Sequence, residues 1–475
     1  MYKSVIGLEI HAQLLTKTKL FCSCSTNYGD PPNTNVCPVC LGYPGALPVL
    51  NEKAVNMAVK AAVALNCKIN KYSYFDRKNY FYPDLPKGYQ ITQFYKPFAE
   101  NGYLDILIKG RKKRIRIERI HIEEDAGKSI HDKETNKTFV DFNRSGVPLI
   151  EIVTKPDIET PEEAAEFLKV LRQTLMYIEV NDGNLEEGSL RCDANISIHK
   201  EGEPLGTRVE VKNLNSFRFL QKAIKYEIED QKNKLEKGEK IYFETKLYDS
   251  RANKTFTMRS KEELLDYRYF PEPDLQTLEI KEETIEKTKE GICELPVNKI
   301  ERFMNDYGLS FDDASLLASS KYLANYYEDV VKINKNPKKS ANWILSELLR
   351  YIKDIDTEFI TPPVTPENFA KFVEKIEKRE ITGLVAKELL PEIIETKKSI
   401  DEIIKEKGIK SISSDEDIMK IIQQVLKNNE DQVKKYKEGK TKLFGFFVGQ
   451  VMKATKGAAD PKKVNTLLKE AIDGN

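Results

Sequence analysis

The stretch Val5-Ile6-Gly7-Leu8-Glu9-Ile10-His11-Ala12-Gln13 decides how the chain is read. Ile6, Leu8, Ile10 and Ala12 alternate with Gly7, Glu9, His11 and Gln13, and a period of two is that of a β-strand. One face is apolar and belongs in a core. The other carries a carboxylate, an imidazole and a carboxamide. The same pattern returns in Leu190-Arg191-Cys192-Asp193-Ala194-Asn195-Ile196-Ser197-Ile198, which sets Arg191, Asp193, Asn195 and Ser197 against an apolar face. It returns again where Arg208, Glu210 and Lys212 oppose Val209 and Val211. One such strand alone is ordinarily a solvent-facing surface. Three of them, mixing acids, bases and a histidine, read as the floor of a polar cavity.

Glu9 and His11, two apart on one strand face, can share a metal ion. Glu151 stands alone in the apolar run Gly146–Val153, where a carboxylate is costly to bury unless it is paired or bound to a cation. A salt bridge would satisfy it equally well. His121-Ile122-Glu123-Glu124-Asp125 adds three adjacent acids, with alternation too irregular to say which points inward. Carboxylates with a histidine suit Mg²⁺ or Mn²⁺ better than Zn²⁺, and such an ion beside Arg and Lys is equipment for phosphoryl transfer. No phosphate-binding glycine loop of the Walker type is present: Gly127-Lys128-Ser129 has the right ending, but Ile122 stands where its first glycine is required. ATP, if used, is held in another way.

Further along, Asn51 is placed to cap an alanine-rich helix over 52–65. Thr160-Pro161-Glu162-Glu163 combines an N-cap, a proline at the first helical position and a capping-box glutamate. Ser216 opens a third helix that stops at Gly238. After Glu294-Leu295-Pro296 the texture becomes helices joined by short turns, such as those opened by Thr365-Pro366-Glu367 and Ser414-Asp415-Glu416-Asp417. The expected class is α+β: a large mixed cradle domain with an antiparallel sheet over 1–293, a helical middle domain over 294–405 and a small helical tail domain over 406–475, with a hinge near Lys405–Ser414.

Four of the seven cysteines, Cys22, Cys24, Cys37 and Cys40, fall within nineteen residues. The spacing is that of a ribbon-like Zn²⁺ site, with reduced thiols as the alternative. Four thiolates leave no open position, so this zinc would hold the 22–40 loop rather than catalyse, contributing about 10–16 kcal/mol to its order.

Lys plus Arg (76) and Asp plus Glu (75) nearly cancel over 475 residues, which argues against a wholly basic nucleic-acid coat protein. RNA contact must be local. The N-terminus has no apolar signal region, and no run of about 18 apolar residues occurs, so a cytoplasmic chain without a membrane partner is expected.

Several long motifs go beyond these patterns. To residues 5–11 are added Phe75-Asp76-Arg77-Lys78-Asn79-Tyr80-Phe81-Tyr82-Pro83-Asp84, His121–Lys128, Glu187–Asn195, Lys212–Phe217, Asp266-Tyr267-Arg268-Tyr269-Phe270-Pro271-Glu272-Pro273-Asp274 and Gly445–Lys453. In this order, from end to end, the chain resembles the B subunits of bacterial aspartyl/glutamyl-tRNA amidotransferases. The resemblance implies ATP-dependent phosphorylation of the side-chain carboxylate of misacylated Glu-tRNA(Gln) or Asp-tRNA(Asn), then amidation by ammonia. It implies a heterotrimer with an amidase, the A subunit, which hydrolyses glutamine, and with a small C subunit. It assigns Mg²⁺ to Glu9, His11, Glu124 and Glu151, selecting Glu124 among the adjacent acids, and places Lys78 and Lys87 where ammonia reaches the cradle. Arg191, Asp193 and Lys212 are added, from their strand faces, as candidates for the ATP side.

From Lys440 to Lys469 there are seven lysines against one acid, Asp460. A solvated helical face is the ordinary meaning of such a run, and Phe444, Phe446 and Phe447 within it read as core. With the resemblance added, Lys440, Lys442, Lys453 and Lys456 become candidates for tRNA contact, together with Lys335, Lys338 and Lys339, through shape and phosphates rather than base edges. Two rivals remain: a non-enzymatic, zinc-stabilised RNA-binding factor, and a free-standing ligase of the glutamine synthetase type. The first leaves the charged strand faces without a use, and the second leaves the helical tail without one.

Overall fold

The structure, a computed structural model, describes residues 2–132, 134–212, 214–259, 267–351, 363–408, 415–455 and 459–473. It divides into two compact units, Met1–Lys299 and Ile300–Asn475.

The first unit is built on a nine-stranded sheet. In chain order its strands are β1 (Tyr2–Gln13), β2 (Lys68–Ile69), β3 (Ala99–Ile108), β4 (Arg111–Glu124), β5 (Pro148–Thr154), β6 (Leu190–Lys200), β7 (Val209–Lys212), β8 (Thr245–Asp249) and β9 (Lys254–Arg259). Across the sheet they run β9-β8-β7-β6-β1-β5-β4-β3-β2. Every pairing is antiparallel except β7 with β8. The strand read first from sequence is therefore the central one.

Ile6, Ile10 and Ala12 are fully buried and Leu8 nearly so, as are Leu190, Ala194, Ile196, Val209 and Val211 on the neighbouring strands. Burial of each large aliphatic side chain contributes roughly 1.5–3 kcal/mol, which fixes which face of the sheet is covered. Helices α2 (Pro161–Tyr177) and α3 (Phe217–Glu236) pack on each other and on the sheet. A third helix, α1 (Glu52–Ala64), begins where the Asn51 side chain accepts hydrogen bonds from the backbone N–H groups of Lys53 and Ala54. Thr160 caps α2 and Ser216 caps α3 as expected. The capping box on α2 is only half present: Glu163 accepts from the N–H of Glu159, one residue before the cap, and pairs with Lys113.

A small three-stranded sheet, formed by Asp76–Asn79, Tyr89–Thr92 and Phe270–Pro271, abuts the end of β4. There the side-chain amide of Gln90 donates to the Glu124 carbonyl (2.8 Å), and Gln93 Oε1 accepts from the Ile122 N–H (3.0 Å).

The described part of the second unit is helical. Pro366–Glu377 is capped by Thr365. Helices Asp415–Lys427, Leu443–Ala454 and Pro461–Asp473 enclose their own core of Ile418, Ile422, Phe447, Val451, Val464 and Leu468. Of the three phenylalanines expected there, Phe447 is buried, Phe444 packs against the core and Phe446 is exposed. The molecule is thus α+β. Ser414 and most of the expected hinge, 409–414, lie outside the described residues.

Candidate active site

The face of the sheet opposite the aliphatic one gathers the charged residues because strand parity requires it. On β1, His11 stands opposite Glu151 of β5 and Arg191 of β6, while Glu9 stands opposite Asp193. Glu151 stands opposite His121 of β4, and Asn195 opposite Glu210 of β7. Residues two apart share a face, so one surface carries Glu9, His11, His121, Glu123, Glu151, Arg191, Asp193 and Lys212.

At its centre His11 Nε2 lies 3.4 Å from a Glu123 oxygen and 3.4 Å from a Glu151 oxygen. His121 Nε2 lies 3.1 Å from Glu151 and 3.4 Å from Glu123. Thr92 donates to Glu123 (3.1 Å). Burial alone would drive both imidazoles toward neutrality, but the hydrogen bond to Glu151 and the Glu151 and Glu123 charges outweigh it at His11 and raise its pKa. At His121 burial is likewise outweighed, by the Glu151 charge and by hydrogen bonds to Glu123 and Glu151, and the pKa reaches about 9. Burial would raise Glu151, yet the His121 charge and the hydrogen bond to His11 hold it well below the usual carboxylate range. The acids and imidazoles are thus held in their charged forms by one another. One ligand atom each from His11, Glu123 and Glu151 lies within 4.8 Å of the others, a mixed oxygen–nitrogen set that fits a hard divalent cation.

Two of the expected metal ligands are placed elsewhere. Glu124 projects to the other side of β4, where it pairs with Lys87 and accepts from the Ile91 N–H (2.9 Å). Its neighbour Glu123 holds the place beside His11 and Glu151. The physical reason is the pleat: a shift of one residue along a strand exchanges faces. His121 had already fixed the parity of that segment, since Glu123 is two residues on, and this signal was available in the sequence. Glu9 shares the face but sits one step from the cluster, accepting from Asn195 Nδ2 (2.8 Å). Burial, then the nearby Glu151 and Glu210 charges, raises its pKa.

Arg191 Nη2 donates to Asp125 (2.7 Å), and Gln13 donates to the same oxygen (2.9 Å). Arg191 Nε is buried without a hydrogen-bond partner. Lys212 bridges Asp193 (2.6 Å) and Glu210 (2.8 Å). Lys78 lies over the Tyr267 ring, 4.8 Å from its centroid, and 5.7 Å from that of Tyr80. Tyr269 stacks on Phe94 at 3.9 Å and 10°. The hydroxyls of Tyr80 and Tyr269 are pushed up, first by burial and then by the Glu123 charge.

The four cysteines also converge. The sulfurs of Cys22, Cys24, Cys37 and Cys40 all lie within 4.8 Å of one another, which fits a tetrathiolate metal site. A shared hydrogen bond pushes Cys22 up and pulls Cys40 down to about 4, where the charge of nearby Lys19 also acts, while burial raises Cys24 to about 11. Asn33 and Asn35 tie the loop to residues 140–143. Cys67 and Cys192 are raised by burial and belong to the packing.

In the second unit, Lys335, Lys338, Lys440, Lys442 and Lys453 are exposed, and Lys339 pairs with Glu377. Lys456 lies outside the described residues. Among the described residues, no helix is long and apolar enough to cross a membrane.

Residues 4–286 match the family model for the GatB/GatE catalytic domain, and residues 325–472 match that for the GatB domain. The chain is similar to the aspartyl/glutamyl-tRNA(Asn/Gln) amidotransferase B subunit of Thermodesulfovibrio yellowstonii, at 53% identity over 98% of each chain. It is 51% identical to the protein of that name from Persephonella marina and 50% identical to that from Pseudothermotoga lettingae, each over 99% of both chains.

Proposed function

The chain belongs to the family of aspartyl/glutamyl-tRNA(Asn/Gln) amidotransferase B subunits, and from that membership we propose how its residues divide the work. It acts as the B subunit of a glutamine-hydrolysing ligase that converts misacylated Glu-tRNA(Gln), Asp-tRNA(Asn) or both to the amidated forms. The sheet face carrying His11, Glu123 and Glu151 is the observation that supports the placement of chemistry.

The substrate's side-chain carboxylate attacks the γ-phosphorus of ATP, and ADP leaves. Ammonia then attacks the acyl carbon and phosphate leaves. The first step is needed because a carboxylate oxygen is a poor leaving group and phosphate is a good one. A divalent cation, Mg²⁺ or Mn²⁺, held by His11, Glu123 and Glu151 would neutralise charge on the phosphates. Glu9, which shares this face, orients the site through Asn195. Arg191 and Lys212 face the triphosphate, Arg191 with its unpartnered Nε available to an anionic oxygen and Lys212 held in place by Asp193. Glu124, paired with Lys87, takes a proton from arriving ammonium, and Lys78 stands at the same entrance. Ammonia comes from an amidase, the A subunit of a heterotrimer that a small C subunit braces. The four-cysteine site holds structural Zn²⁺.

Residues 1–293 form the catalytic domain, 294–405 a helical domain and 406–475 a tail domain. Exposed Lys440, Lys442 and Lys453, with Lys335 and Lys338, contact tRNA phosphates, and the enzyme works in the cytoplasm. A non-enzymatic RNA-binding factor has no support among the full-length relatives, and a free-standing small-molecule ligase leaves the tail without a role.

The test is conversion of Glu-tRNA(Gln) to Gln-tRNA(Gln) by the chain purified with its partner subunits, given ATP and ammonium chloride. Conversion that needs ATP, and that falls at least a hundredfold in His11→Ala, is expected. Conversion without ATP would sink the phosphorylation step.

A further inference from the structure

The four-cysteine centre and the Lys87–Glu124 pair border one cavity of about 200 Å³. Cys22, Cys40, Lys87 and Glu124 all line it. A remote structural staple would have no reason to share a cavity with a buried ion pair beside the active face.

One contact reaches Lys87, and a second anchors the cysteine loop. The first is the turn that carries the last two cysteines. The N–H groups of Leu41 and Gly42 donate to the carbonyls of Cys37 and Val39, both at 3.0 Å, which fixes the turn from Cys37 to Gly42. Gly42 has φ +69°, a left-handed conformation that favours glycine, and it presses directly on Lys87. A Cβ at this position would stand 2.6 Å from Lys87 Cγ and 3.1 Å from Lys87 Cα. The second contact is Lys19, whose ammonium is buried without a hydrogen-bonding carboxylate among the described residues. It donates to the carbonyls of Asn35 (2.7 Å) and Phe142 (3.2 Å) and to Cys40 Sγ (3.6 Å). These contacts tie Lys19 both to the last cysteine of the turn and to the backbone on either side of it. Gly146 keeps this junction tight: a Cβ there would meet Lys19 Cδ at 3.3 Å and Cys40 Cβ at 3.7 Å.

We propose that the four-cysteine metal centre positions Lys87 on Glu124 through the Cys37–Gly42 turn, anchored by Lys19, and so shapes the place where ammonia is received. This rests on the reading of a bound zinc and of Lys87 at the ammonia entrance. Lys87 is in turn tied to the strand Tyr89–Thr92, because Glu124 accepts from both Lys87 and the Ile91 N–H.

The experiment is hydrogen–deuterium exchange on the assembled enzyme, before and after zinc is stripped by a strong chelator, with zinc content measured in parallel. About one zinc per chain is expected at the start. Its removal is expected to speed exchange over residues 88–92 at least fivefold, while exchange in the β6 interior, 192–198, stays unchanged. No zinc at the start overturns the metal reading itself. Zinc that leaves without changing exchange over 88–92 overturns the positioning proposal alone. Gly42→Ala supplies the second arm should stripping unfold the loop region at large. It is expected to keep its zinc, lose protection over 88–92 and lose glutamine-dependent amidation more than tenfold. Unchanged protection and amidation in this variant would overturn the proposal.

Discussion

Glu123 and Glu124 are chemically identical neighbours whose roles are separated only by the pleat of β4. Glu123 joins His11, His121 and Glu151, and Glu124 joins Lys87. The reason the sequence left this open is visible in the strand. Ile115 and Ile117 are buried with one parity, and Ile120 and Ile122 with the other. Between them the pairing with β5 shifts register, Val153 matching Arg119 and Thr154 matching Ile117. A bulge of this kind inserts one residue and reverses the faces beyond it, so alternation carried on from Ile115 and Ile117 puts Glu123 and Glu124 on the wrong faces. His121 carries a pH prediction of its own. Its folded-state pKa, about 9, lies above the ordinary 6.5 that it has when unfolded. Protonation therefore favours the folded state, and the contribution is fully present below pH 6.5 and lost as pH rises through about 9. In buffer free of divalent cations, thermal stability measured at pH 6.5 and 9.5 should fall more in the wild type than in His121→Gln, by on the order of 2–3 kcal/mol. Equal losses in the two proteins would show that the imidazole is not held charged.

At the scale of elements, caps and alternation were legible and long-range pairing was not. Asn51, Thr160 and Ser216 announce their helices because a cap is a local hydrogen bond. The strands β1, β6 and β7 announce themselves because one face of each is buried. Nothing local says that Phe270–Pro271 pairs with Arg77 and Asp76, almost two hundred residues earlier. The parallel pairing of β7 with β8 is equally silent, and a buried ion pair lies beside it. Lys246 of β8 reaches Glu227 of α3 at 3.1 Å, and Thr255 of β9 donates to the same carboxylate. Glu227 is fully buried and Lys246 nearly so. Removing Glu227 leaves the nearly buried Lys246 with only the partly exposed Asp230 (3.2 Å) and Glu244 (3.4 Å) as counter-charges, so Glu227→Leu should cost about 1–3 kcal/mol in chemical denaturation, whereas Glu227→Leu with Lys246→Met should recover part of it. A double variant no more stable than the single one would assign the cost to packing instead.

At the scale of the whole molecule, an α+β unit carrying the charged face is followed in the chain by a helical unit with exposed lysines. The order β9-β8-β7-β6-β1-β5-β4-β3-β2 explains why candidates far apart in sequence meet: β1 at the centre receives Glu151 from one side and Arg191 from the other. Sequence alternation grouped the charged residues, and the motifs identified the reaction class. They could not supply the sheet order that selects which residues touch, because that order is fixed by packing between strands rather than by any segment alone. The central claim is that this face phosphorylates a tRNA-bound carboxylate. The most direct measurement is ATP hydrolysis by the assembled enzyme without an ammonia donor, with and without Glu-tRNA(Gln) or Asp-tRNA(Asn), for wild type, Glu123→Gln and Glu124→Gln. The account expects misacylated tRNA to stimulate hydrolysis in the wild type and in Glu124→Gln, and stimulation to fall at least a hundredfold in Glu123→Gln. Hydrolysis that ignores misacylated tRNA, or that survives in Glu123→Gln, would contradict it.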